Sequence, residues 1–271
     1  MAAILHVRKK NILAALIMLI LVVSLGGPLL FIHFPRTCIP YVDLKQTGTK
    51  PNPRIIILSG EQCTSTDPNS KCRMIGPSSY YNRREYHAHH QGRYDLKDNF
   101  TQYFDEVATY GYVPAWAKIK ILLDELERDD HDWIFWIDTD ATITNMDIEL
   151  ERFVDDRYSL LITEDLNDLN AGVFMLKVDD WSRKYMKDIW SKANKHQNEQ
   201  DYMISLLKEP EYEVERYVKY LPQCSFNSYW EVKAWHEMYR PGDFVVHWAG
   251  HNFDSSTYGR WRPEHHFKNG Y

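Results

Sequence analysis

The chain has 271 residues, of which 44% are hydrophobic and 14% aromatic. A chain of this length and composition can form one large domain with a substantial core, and it is not typical of a disordered protein. The formal net charge of −6 argues against a nucleic-acid-binding protein, because such a protein needs a basic face to neutralise phosphates.

The N-terminal part carries a basic cluster followed by a long apolar run. Residues 8–10 are Arg-Lys-Lys, and residues 12–34 contain no Asp, Glu, Lys or Arg. Such a run can cross about 30 Å of hydrocarbon, and its basic flank predicts a cytosolic N-terminus. We therefore expect a cytoplasmic tail over residues 1–11 and a type II transmembrane signal-anchor over residues 12–34. A signal peptide cleaved near residues 23–26 is the alternative, but the apolar run continues beyond that point, which favours the anchor.

Both alternatives place the remaining chain in the secretory lumen, where disulfides and N-glycans form. Cys63 and Cys72 flank a short polar segment, a spacing that permits a local disulfide. Cys38 and Cys224 could pair with each other or remain free, and their spacing does not decide between these alternatives. Asn99 begins the sequence Asn-Phe-Thr, which is an acceptor for N-glycosylation.

The predicted luminal domain begins after a short stem. Residues 35–53 are rich in proline and polar residues and predict a stem without a core, so the domain covers residues 54–271. Residues 54–58, Arg-Ile-Ile-Ile-Leu, predict a buried strand, which ends at Ser59 and Gly60. A glycine at that point lets backbone amides approach a ligand, although an ordinary turn explains it equally well.

A strand and a helix are predicted next. Residues 86–90 alternate in the manner of a strand. From residue 113 onward, apolar side chains at helical spacing predict an amphipathic helix whose core stripe runs from Trp116 to Leu126. Lys118 lies off this stripe, so a surface position is the default for it, and a contact with a phosphate or a donor is the more specific alternative.

The centre of the chain is an apolar run that ends in two acidic residues. Residues 133–137, Trp-Ile-Phe-Trp-Ile, are too few for a helix and show no alternation, which indicates a strand covered on both faces. Asp138 and Asp140 follow at the strand end, where open α/β sheets bind ligands. Two hard oxygen ligands suit Mg²⁺ or Mn²⁺ together with the phosphates of a substrate. Solvated turn residues are the alternative, since Asp is common in turns.

The rest of the chain continues the alternation of strands and helices that is typical of an α/β fold. Strands are predicted over residues 158–163, 173–176 and 242–246, and helices over residues 148–156, from Asp179 onward and from Glu199 onward. At Glu199 the helix dipole alone favours an acid, so this residue has a structural explanation as well as a functional one. His247 follows the last strand, where a buried structural histidine is the more frequent case and a metal ligand the alternative.

Several short motifs occur together in this chain. They are Asn82-Arg83-Arg84-Glu85-Tyr86, Trp116-Ala117-Lys118-Ile119, Asp138-Thr139-Asp140, Asn170-Ala171-Gly172-Val173-Phe174, Glu199-Gln200-Asp201 and the segment from Gly242 to Gly250. In this order they resemble glycosyltransferase family 34, which includes fungal α-galactosyl- and α-mannosyltransferases and plant xyloglucan xylosyltransferases. The resemblance implies a single GT-A-type α/β domain with a central, mostly parallel sheet, in a protein of the Golgi membrane.

The resemblance also implies a retaining, metal-dependent reaction. A hexosyl or pentosyl group of the galactose, mannose or xylose class would move from a UDP- or GDP-sugar to a glycan acceptor, with Mn²⁺ as the ion and Mg²⁺ as the alternative. By position, Asp138, Asp140 and His247 would bind the ion, and Gln200 with Glu199 would face the anomeric carbon. The candidate donor-binding residues are Ser59, Asn82, Lys118, Asp138, Thr139, Asp140, Asn170, Gly172 and Gly250.

Two other functions fit part of the sequence. Phosphatases of the haloacid-dehalogenase type also place Asp-x-Asp-x-Thr after an apolar strand, which Asp138, Asp140 and Thr142 match, and Asp179 with Asp180 would then form their distal acidic pair. That motif normally follows the first strand of its domain, whereas here an α/β pattern precedes it. A non-catalytic luminal sugar-binding module is the other alternative. The glycosyltransferase explains more of the motifs than either.

Overall fold

The computed structural model describes residues 38, 50–60, 71–165, 168–229 and 238–248. They belong to one compact unit, Thr37–Tyr271. The predicted signal-anchor over residues 12–34, as well as Cys63 and Gly250, lies outside the described residues. Within the described ranges, no helix combines the length and the apolar character needed to cross a membrane.

Strands and helices alternate along the chain. The strands are β1 (Ile55–Leu58), β2 (Asp95–Lys97), β3 (Trp133–Ile137), β4 (Ala141–Ile143), β5 (Leu160–Asp165), β6 (Asp168–Lys177), β7 (Val218–Leu221) and β8 (Val245–His247). The helices are α1 (Lys71–His89), α2 (Thr101–Thr109), α3 (Trp116–Arg128), α4 (Asp180–Trp190), α5 (Glu199–Leu207), α6 (Val214–Tyr217) and α7 (Gln223–Phe226), with 3-10 turns at Leu150–Arg152 and Pro210–Tyr212. The predicted α/β class is confirmed.

The central sheet is mixed, because one of its strands, β6, runs opposite to the other five. Its six strands follow the order β2-β1-β3-β6-β5-β7. β1 pairs in parallel with β2 and β3, and β5 pairs in parallel with β7, whereas β6 runs antiparallel to both β3 and β5. The predicted, mostly parallel sheet thus contains one antiparallel strand. β6 reverses direction because Asp165 pairs with Asp168, and so short a connection cannot make the parallel crossover, which needs about a dozen residues.

β3 lies inside the sheet and is buried on both faces, as its sequence predicts. Ile134 and Trp136 belong to a core that includes side chains of α2, α3, α4 and α5. Trp133, Phe135 and Ile137 belong to a second core with side chains of α1 and β8. Burial of each large apolar side chain contributes about 1.5–3 kcal/mol, so the two cores together hold β3 and the residues that follow it in place.

The segment predicted as a second strand is helical. Residues 86–89 form the last part of α1. The buried side chains of α1 include Asn82, Arg83 and Tyr86, which recur at helical spacing but are mostly polar. Because hydropathy does not mark such a face, the short alternation at the end of the helix resembles a strand, and the prediction is wrong.

The helices α3, α4 and α5 begin where the sequence predicts them. Asp179 caps α4, and its side chain accepts from a backbone N–H of the first turn at 2.9 Å. Asn198 caps α5, so Glu199 lies in the first turn. The helix predicted over residues 148–156 is reduced to the 3-10 turn Leu150–Arg152.

A second, two-stranded sheet contains β4 and β8. The strands are antiparallel, and Ala141 pairs with His247. The strand predicted over residues 242–246 is shorter than expected and ends one residue later. It lies in this two-stranded ribbon, β4–β8, instead of the central sheet. The ribbon begins directly after Asp140, which determines where His247 is placed.

Cys38 and Cys224 form a disulfide. Of the two alternatives that the spacing leaves open, pairing is the one that occurs. The Ser225 hydroxyl also donates to Cys38 O, so residue 38 is joined to α7 by a covalent bond and a hydrogen bond. The predicted disulfide between Cys63 and Cys72 involves a residue outside the described ranges.

Candidate active site

Asp138 and Asp140 follow the carboxyl end of β3, next to the first half of β6. Because β6 is antiparallel to β3, Gly172 lies beside Asp138, and the Asp138 N–H donates to Gly172 O at 2.8 Å. Trp136 Nε1 donates to Asp138 Oδ1 at 2.6 Å and orients the carboxylate. The direction of β6 thus brings together two motifs that are far apart in the sequence.

His247 reaches the two carboxylates through the β4–β8 ribbon. It pairs with Ala141, and the Trp248 N–H donates to Asp140 O at 2.9 Å. His247 Nε2 lies 3.2 Å from Asp140 Oδ1. Asp138, Asp140 and His247 each offer a ligand atom within 4.8 Å of the other two, an arrangement that can hold a metal ion. We call these three residues the acid–histidine cluster.

Gly172 provides the space for the imidazole of His247. A Cβ atom at residue 172 would lie 2.1 Å from His247 Cε1 and 3.0 Å from Asn170 Oδ1. Closely packed interiors do not accommodate such contacts, so a larger residue would displace the imidazole. The family resemblance assigns Gly172 to the donor sugar, and in the structure this residue also lies against a candidate metal ligand.

Lys118 is buried beside the acid–histidine cluster, so its predicted default position at the surface is wrong. Only 7% of the residue is exposed. Its Nζ lies 3.2 Å from Asp138 Oδ1, 2.8 Å from Glu199 Oε1 and 2.9 Å from Ala171 O. A buried ammonium group needs such partners, because an unpaired charge is very unfavourable in an apolar interior. Lys118 therefore links Asp138 to Glu199.

The charges of these side chains depend on one another. Burial raises the pKa of Asp138, and the nearby Lys118 ammonium opposes that rise. Burial lowers the pKa of Lys118, but the carboxylates of Asp138 and Glu199 outweigh this effect and keep it above its ordinary value. Lys118 is thus a cation at neutral pH and supplies fixed positive charge between two carboxylates.

Glu199 and Gln200 lie in the first turn of α5, beside β6. Glu199 is 3% exposed, and its Oε2 has no hydrogen-bond partner among the described residues. Gln200 Oε1 accepts from Ala171 N at 3.0 Å. A buried carboxylate oxygen without a partner is unfavourable, and a hydroxyl group of a bound ligand can satisfy it.

A cavity of about 310 Å³ opens at the acid–histidine cluster. It is lined by Gly60, Phe104, Pro114, Ala115, Lys118, Trp136, Asp138, Thr139, Asp140 and Glu199. Phe104 and Trp136 contribute aromatic rings, whereas Lys118 and the carboxylates contribute charge. This combination suits a ligand that has both a ring and an anionic group.

A larger cavity of about 590 Å³ lies at the end of α1. It is lined by His89, His90, Gln91, Arg93, Asp147 and Glu149. Its charged side chains pair with one another, since Arg93 Nη1 lies 2.7 Å from Glu149 Oε1 and His89 Nε2 lies 3.0 Å from Asp147 Oδ1. We place the functional site at the smaller cavity because the acid–histidine cluster borders it.

Some candidate donor-binding residues are not among those that line the smaller cavity. Asn82 uses both ends of its amide on the backbone of Ile143, at 2.8 and 2.9 Å, and so joins α1 to β4. Ser59 is buried at the end of β1, next to Gly60. Thr139 does line the cavity, and Gly250 lies outside the described residues.

Two polar residues beside the acid–histidine cluster are not marked by the sequence, and one of them contacts His247 directly. Asn227 Oδ1 lies 2.9 Å from His247 Nδ1, and Asp165 accepts hydrogen bonds from Asn227 and Asn170. Neither Asn227 nor Asp165 belongs to one of the motifs, and no local pattern marks them. Trp136 is not among the candidate site residues either, although its position in β3, two residues before Asp138, is a usable signal.

The sequence model of the galactosyl transferase GMA12/MNN10 family, glycosyltransferase family 34, matches residues 51–160 and 154–257. These two ranges include every part of the acid–histidine cluster and its cavity. The chain belongs to this family. The resemblance seen in the ordered motifs is thereby confirmed.

The curated relatives include fungal transferases. An alpha-1,2-galactosyltransferase of Schizosaccharomyces pombe is 24% identical over 264 residues, covering 82% of this chain and 66% of that protein. A probable alpha-1,6-mannosyltransferase, MNN10, of Saccharomyces cerevisiae is 25% identical over 226 residues, covering 67% of this chain and 56% of that protein. The family 34 chain thus spans 66% and 56% of the length of these two relatives.

A solved structure supports the fold assignment. The crystal structure of a glycosyltransferase involved in the glycosylation of the major capsid of PBCV-1 matches with a TM-score of 0.56 and 17% identity. The match covers 80% of this chain and 100% of the other. The family 34 chain therefore has a GT-A-like glycosyltransferase fold with a mixed central sheet, and the predicted fold type is confirmed.

The phosphatase alternative is not supported. Because β6 is antiparallel to β3, Lys177 pairs with Trp133 at the opposite end of β3 from Asp138. Asp179 and Asp180 follow Lys177, and Asp179 caps α4. The distal acidic pair that such a phosphatase requires therefore does not form next to Asp138.

Proposed function

We propose that the protein is a retaining, metal-dependent glycosyltransferase. In this proposal it transfers a hexosyl or pentosyl group of the galactose, mannose or xylose class from a UDP- or GDP-sugar to a glycan acceptor. The proposal depends mainly on one observation, the acid–histidine cluster at a cavity that offers both aromatic rings and charge. Membership of a family that contains galactosyl- and mannosyltransferases supports it.

The acid–histidine cluster fits a divalent ion of the Mn²⁺ type. Carboxylates and an imidazole are suitable ligands for Mn²⁺, with Mg²⁺ as the alternative for the oxygen ligands. Their ligand atoms lie within 4.8 Å of one another, which is compatible with a shared ion held by Asp138, Asp140 and His247. Such an ion supplies Lewis-acid stabilisation of the charge that develops on the departing phosphate.

Three kinds of side chain in the cavity have distinct roles in binding the donor. Lys118 is a buried cation and attracts the donor phosphates. Glu199 Oε2 can accept a hydrogen bond from a hydroxyl group of the donor sugar. Phe104 and Trp136 offer apolar surface for the nucleoside or the sugar ring.

The contacts of Gln200 and Glu199 support attack from the leaving-group face. Gln200 is a poor nucleophile, and its Oε1 already accepts from Ala171 N at 3.0 Å. The Glu199 carboxylate is paired with Lys118 at 2.8 Å, which weakens it as a nucleophile. The bond from the anomeric carbon to the phosphate oxygen breaks, the bond to the acceptor oxygen forms on the same face, and the departing phosphate takes the acceptor's proton.

We also propose that the protein is a single-pass type II protein of the Golgi membrane. Its parts are a tail over residues 1–11, an anchor over residues 12–34, a stem over residues 35–53 and a luminal domain over residues 54–271. The disulfide between Cys38 and Cys224 supports a luminal domain, because disulfides persist in oxidising compartments.

A donor screen with the full-length chain tests the proposed reaction. UDP-galactose, GDP-mannose and UDP-xylose are each incubated with an oligosaccharide acceptor, with Mn²⁺ or with a chelator. We expect one donor to be consumed only with the metal, and proton NMR of the product to show the anomeric configuration of the donor. An inverted product contradicts retention. Hydrolysis of an aryl phosphate with Mg²⁺ instead indicates the phosphatase, and sugar binding without either activity indicates the module.

A further inference from the structure

Asp165, the last residue of β5, collects three hydrogen bonds on one carboxylate oxygen. Its Oδ2 accepts from Asn170 Nδ2 at 2.8 Å, from Asn227 Nδ2 at 3.3 Å and from Tyr229 Oη at 2.5 Å. An ionised carboxylate can only accept, so each of these partners must present a donor. Asp165 thereby fixes the orientation of the two neighbouring amides.

The orientation of the Asn227 amide determines which nitrogen of His247 carries the hydrogen. Because Asn227 Nδ2 faces Asp165, its Oδ1 faces His247 and lies 2.9 Å from Nδ1. An amide oxygen only accepts, so the imidazole hydrogen is on Nδ1. In the neutral ring the lone pair is then on Nε2, the atom that lies 3.2 Å from Asp140 Oδ1.

The same carboxylate influences a second contact with the imidazole. Asn170 turns its Nδ2 to Asp165, so its Oδ1 accepts from Gly172 N at 2.9 Å. This bond holds the backbone of Gly172 against the imidazole ring. The approach is so close that a Cβ atom at residue 172 would lie 2.1 Å from His247 Cε1. The ring is therefore fixed at Nδ1 by Asn227 and at Cε1 by Gly172, and both contacts depend on Asp165.

Burial protects the contact between Asn227 and His247 from competing water. Asn227 is 0% exposed and His247 is 3% exposed. Histidines that bind metals commonly donate their second N–H to an acceptor, which fixes the tautomer and the direction of the ring. Here that acceptor is an amide whose own orientation is set by a carboxylate.

We propose that Asp165 is a positioning residue for the metal centre, which through Asn227 selects the tautomer of His247 whose Nε2 binds the divalent ion. This inference rests on the proposed metal dependence. It assigns a role to a residue that lies outside the sequence motifs and outside the residues that line the cavity. Asp165 acts only through other side chains and does not touch the reacting atoms.

The test measures Mn²⁺ affinity directly, by electron paramagnetic resonance of free Mn²⁺, in full-length protein without donor or acceptor. Asp165→Asn is compared with wild type and with Asp155→Asn, which removes a carboxylate bonded to Arg157 and Lys219 instead. We expect Asp165→Asn to weaken Mn²⁺ binding by about 10- to 100-fold and Asp155→Asn to leave it unchanged. Equal affinity in Asp165→Asn and wild type overturns the inference. Absence of binding in wild type overturns the proposed metal dependence itself.

A double-mutant cycle tests the route through Asn227. Asn227→Leu removes the acceptor of the imidazole hydrogen and should also weaken Mn²⁺ binding. If Asp165 acts through Asn227, Asp165→Asn should weaken Mn²⁺ binding less in the Asn227→Leu background than in the wild-type background. Fully additive losses overturn this route.

A measurement on the wild-type chain covers the case in which the variants do not fold. Nitrogen-15 NMR of the imidazoles is recorded without metal, above the ordinary histidine pKa of about 6.5. We expect the His247 ring to carry its hydrogen on Nδ1. A neutral ring with its hydrogen on Nε2 instead of Nδ1 overturns the inference, because it shows that Asn227 does not select the tautomer.

Discussion

The ammonium group of Lys118 lies between the partly exposed Asp138 and the buried Glu199, and its charge compensates those of the two carboxylates. Without it, the two carboxylates would repel each other with no cation between them. The carboxylates of the site, with Asp140 included, still outnumber the ammonium. The site therefore keeps a net negative charge that a divalent cation can neutralise.

Replacing Asp138 or Asp140 by Asn tests the acid–histidine cluster one residue at a time. We expect each change to reduce transfer by about 100-fold or more, because losing one ligand removes several kcal/mol of charge stabilisation and about 1.4 kcal/mol corresponds to a tenfold change in rate. Donor turnover at high Mn²⁺ and thermal unfolding are measured together. Asp147→Asn, an 87% exposed carboxylate at the other cavity, is the control. Full activity in either variant, with metal still required, contradicts the assignment.

The change Gly172→Ala tests the space beside His247. The added Cβ would lie 2.1 Å from the imidazole, so we expect the ring to shift. The free energy of unfolding should fall by about 1–3 kcal/mol. The Mn²⁺ affinity should fall about tenfold or more. Gly111→Ala is a matched control, because its positive φ of +67 makes the substitution unfavourable without any contact to the site. Similar Mn²⁺ affinities for the two variants would show that Gly172 does not support His247.

Elements with a uniform apolar pattern could be predicted from the sequence, and others could not. β3 and α3 were predicted because Trp133–Ile137 and the stripe from Trp116 to Leu126 are apolar at the expected spacing. α1 was missed because its buried face contains Asn82 and Arg83. The direction of β6 was also missed, since an apolar run has the same composition in a parallel and an antiparallel strand.

At the edge of the central sheet, β7 is connected to the loop before β5 by one carboxylate. Asp155 accepts from Arg157 Nη2 at 2.8 Å and from Lys219 Nζ at 2.7 Å. Burial would raise the pKa of Asp155, but these hydrogen bonds outweigh that effect and bring the pKa down to about 2. A carboxylate whose pKa is lower in the folded than in the unfolded protein stabilises the fold fully when the pH is above its pKa in the unfolded protein. It loses that contribution as the pH falls through its pKa in the folded protein.

We therefore expect Asp155→Asn to lower the free energy of unfolding at neutral pH by roughly 1–2 kcal/mol, allowing for screening at the half-exposed Arg157. The difference from wild type should disappear as the pH falls from about 4 to about 2, where the Asp155 carboxylate becomes protonated. Chemical unfolding of both proteins at several pH values measures this difference in the free energy of unfolding. A difference that persists unchanged at the acidic end would assign the loss to packing rather than to charge.

In the whole molecule, the acid–histidine cluster and the residues that contact it come from several elements or their ends. β3 and β6 bring Asp138 and Gly172 together, the β4–β8 ribbon brings His247, and α3 and α5 bring Lys118 and Glu199. The site residues that belong to the sequence motifs could be predicted one by one. The links between them could not, because contacts such as the one between Asn227 and His247 are made by the tertiary fold and leave no local pattern in the sequence.

The proposed topology predicts how the intact protein is processed in a cell. Asn99 is exposed just before α2, so luminal delivery makes it available for one glycan. We expect glycosidase treatment to reduce the apparent mass by one glycan and Asn99→Gln to abolish that shift. Protease added to sealed microsomes should leave residues 54–271 intact and should digest them after permeabilisation. Digestion of these residues in sealed microsomes contradicts the orientation.

The disulfide joins the beginning of the compact unit to α7, which directly precedes Asn227. Cys38 and Cys224 are separated by 186 residues in the sequence, so the bond restricts a long loop in the unfolded chain. We expect Cys224→Ser to lower the free energy of unfolding by about 2–5 kcal/mol. Cys38→Ser should cause the same loss, and the double variant should cause no more than either single change, because one bond is removed in all three. Thermal and chemical unfolding without reductant measure these free energies. If the loss in the double variant equals the sum of the two single losses, the two cysteines stabilise the fold independently of each other.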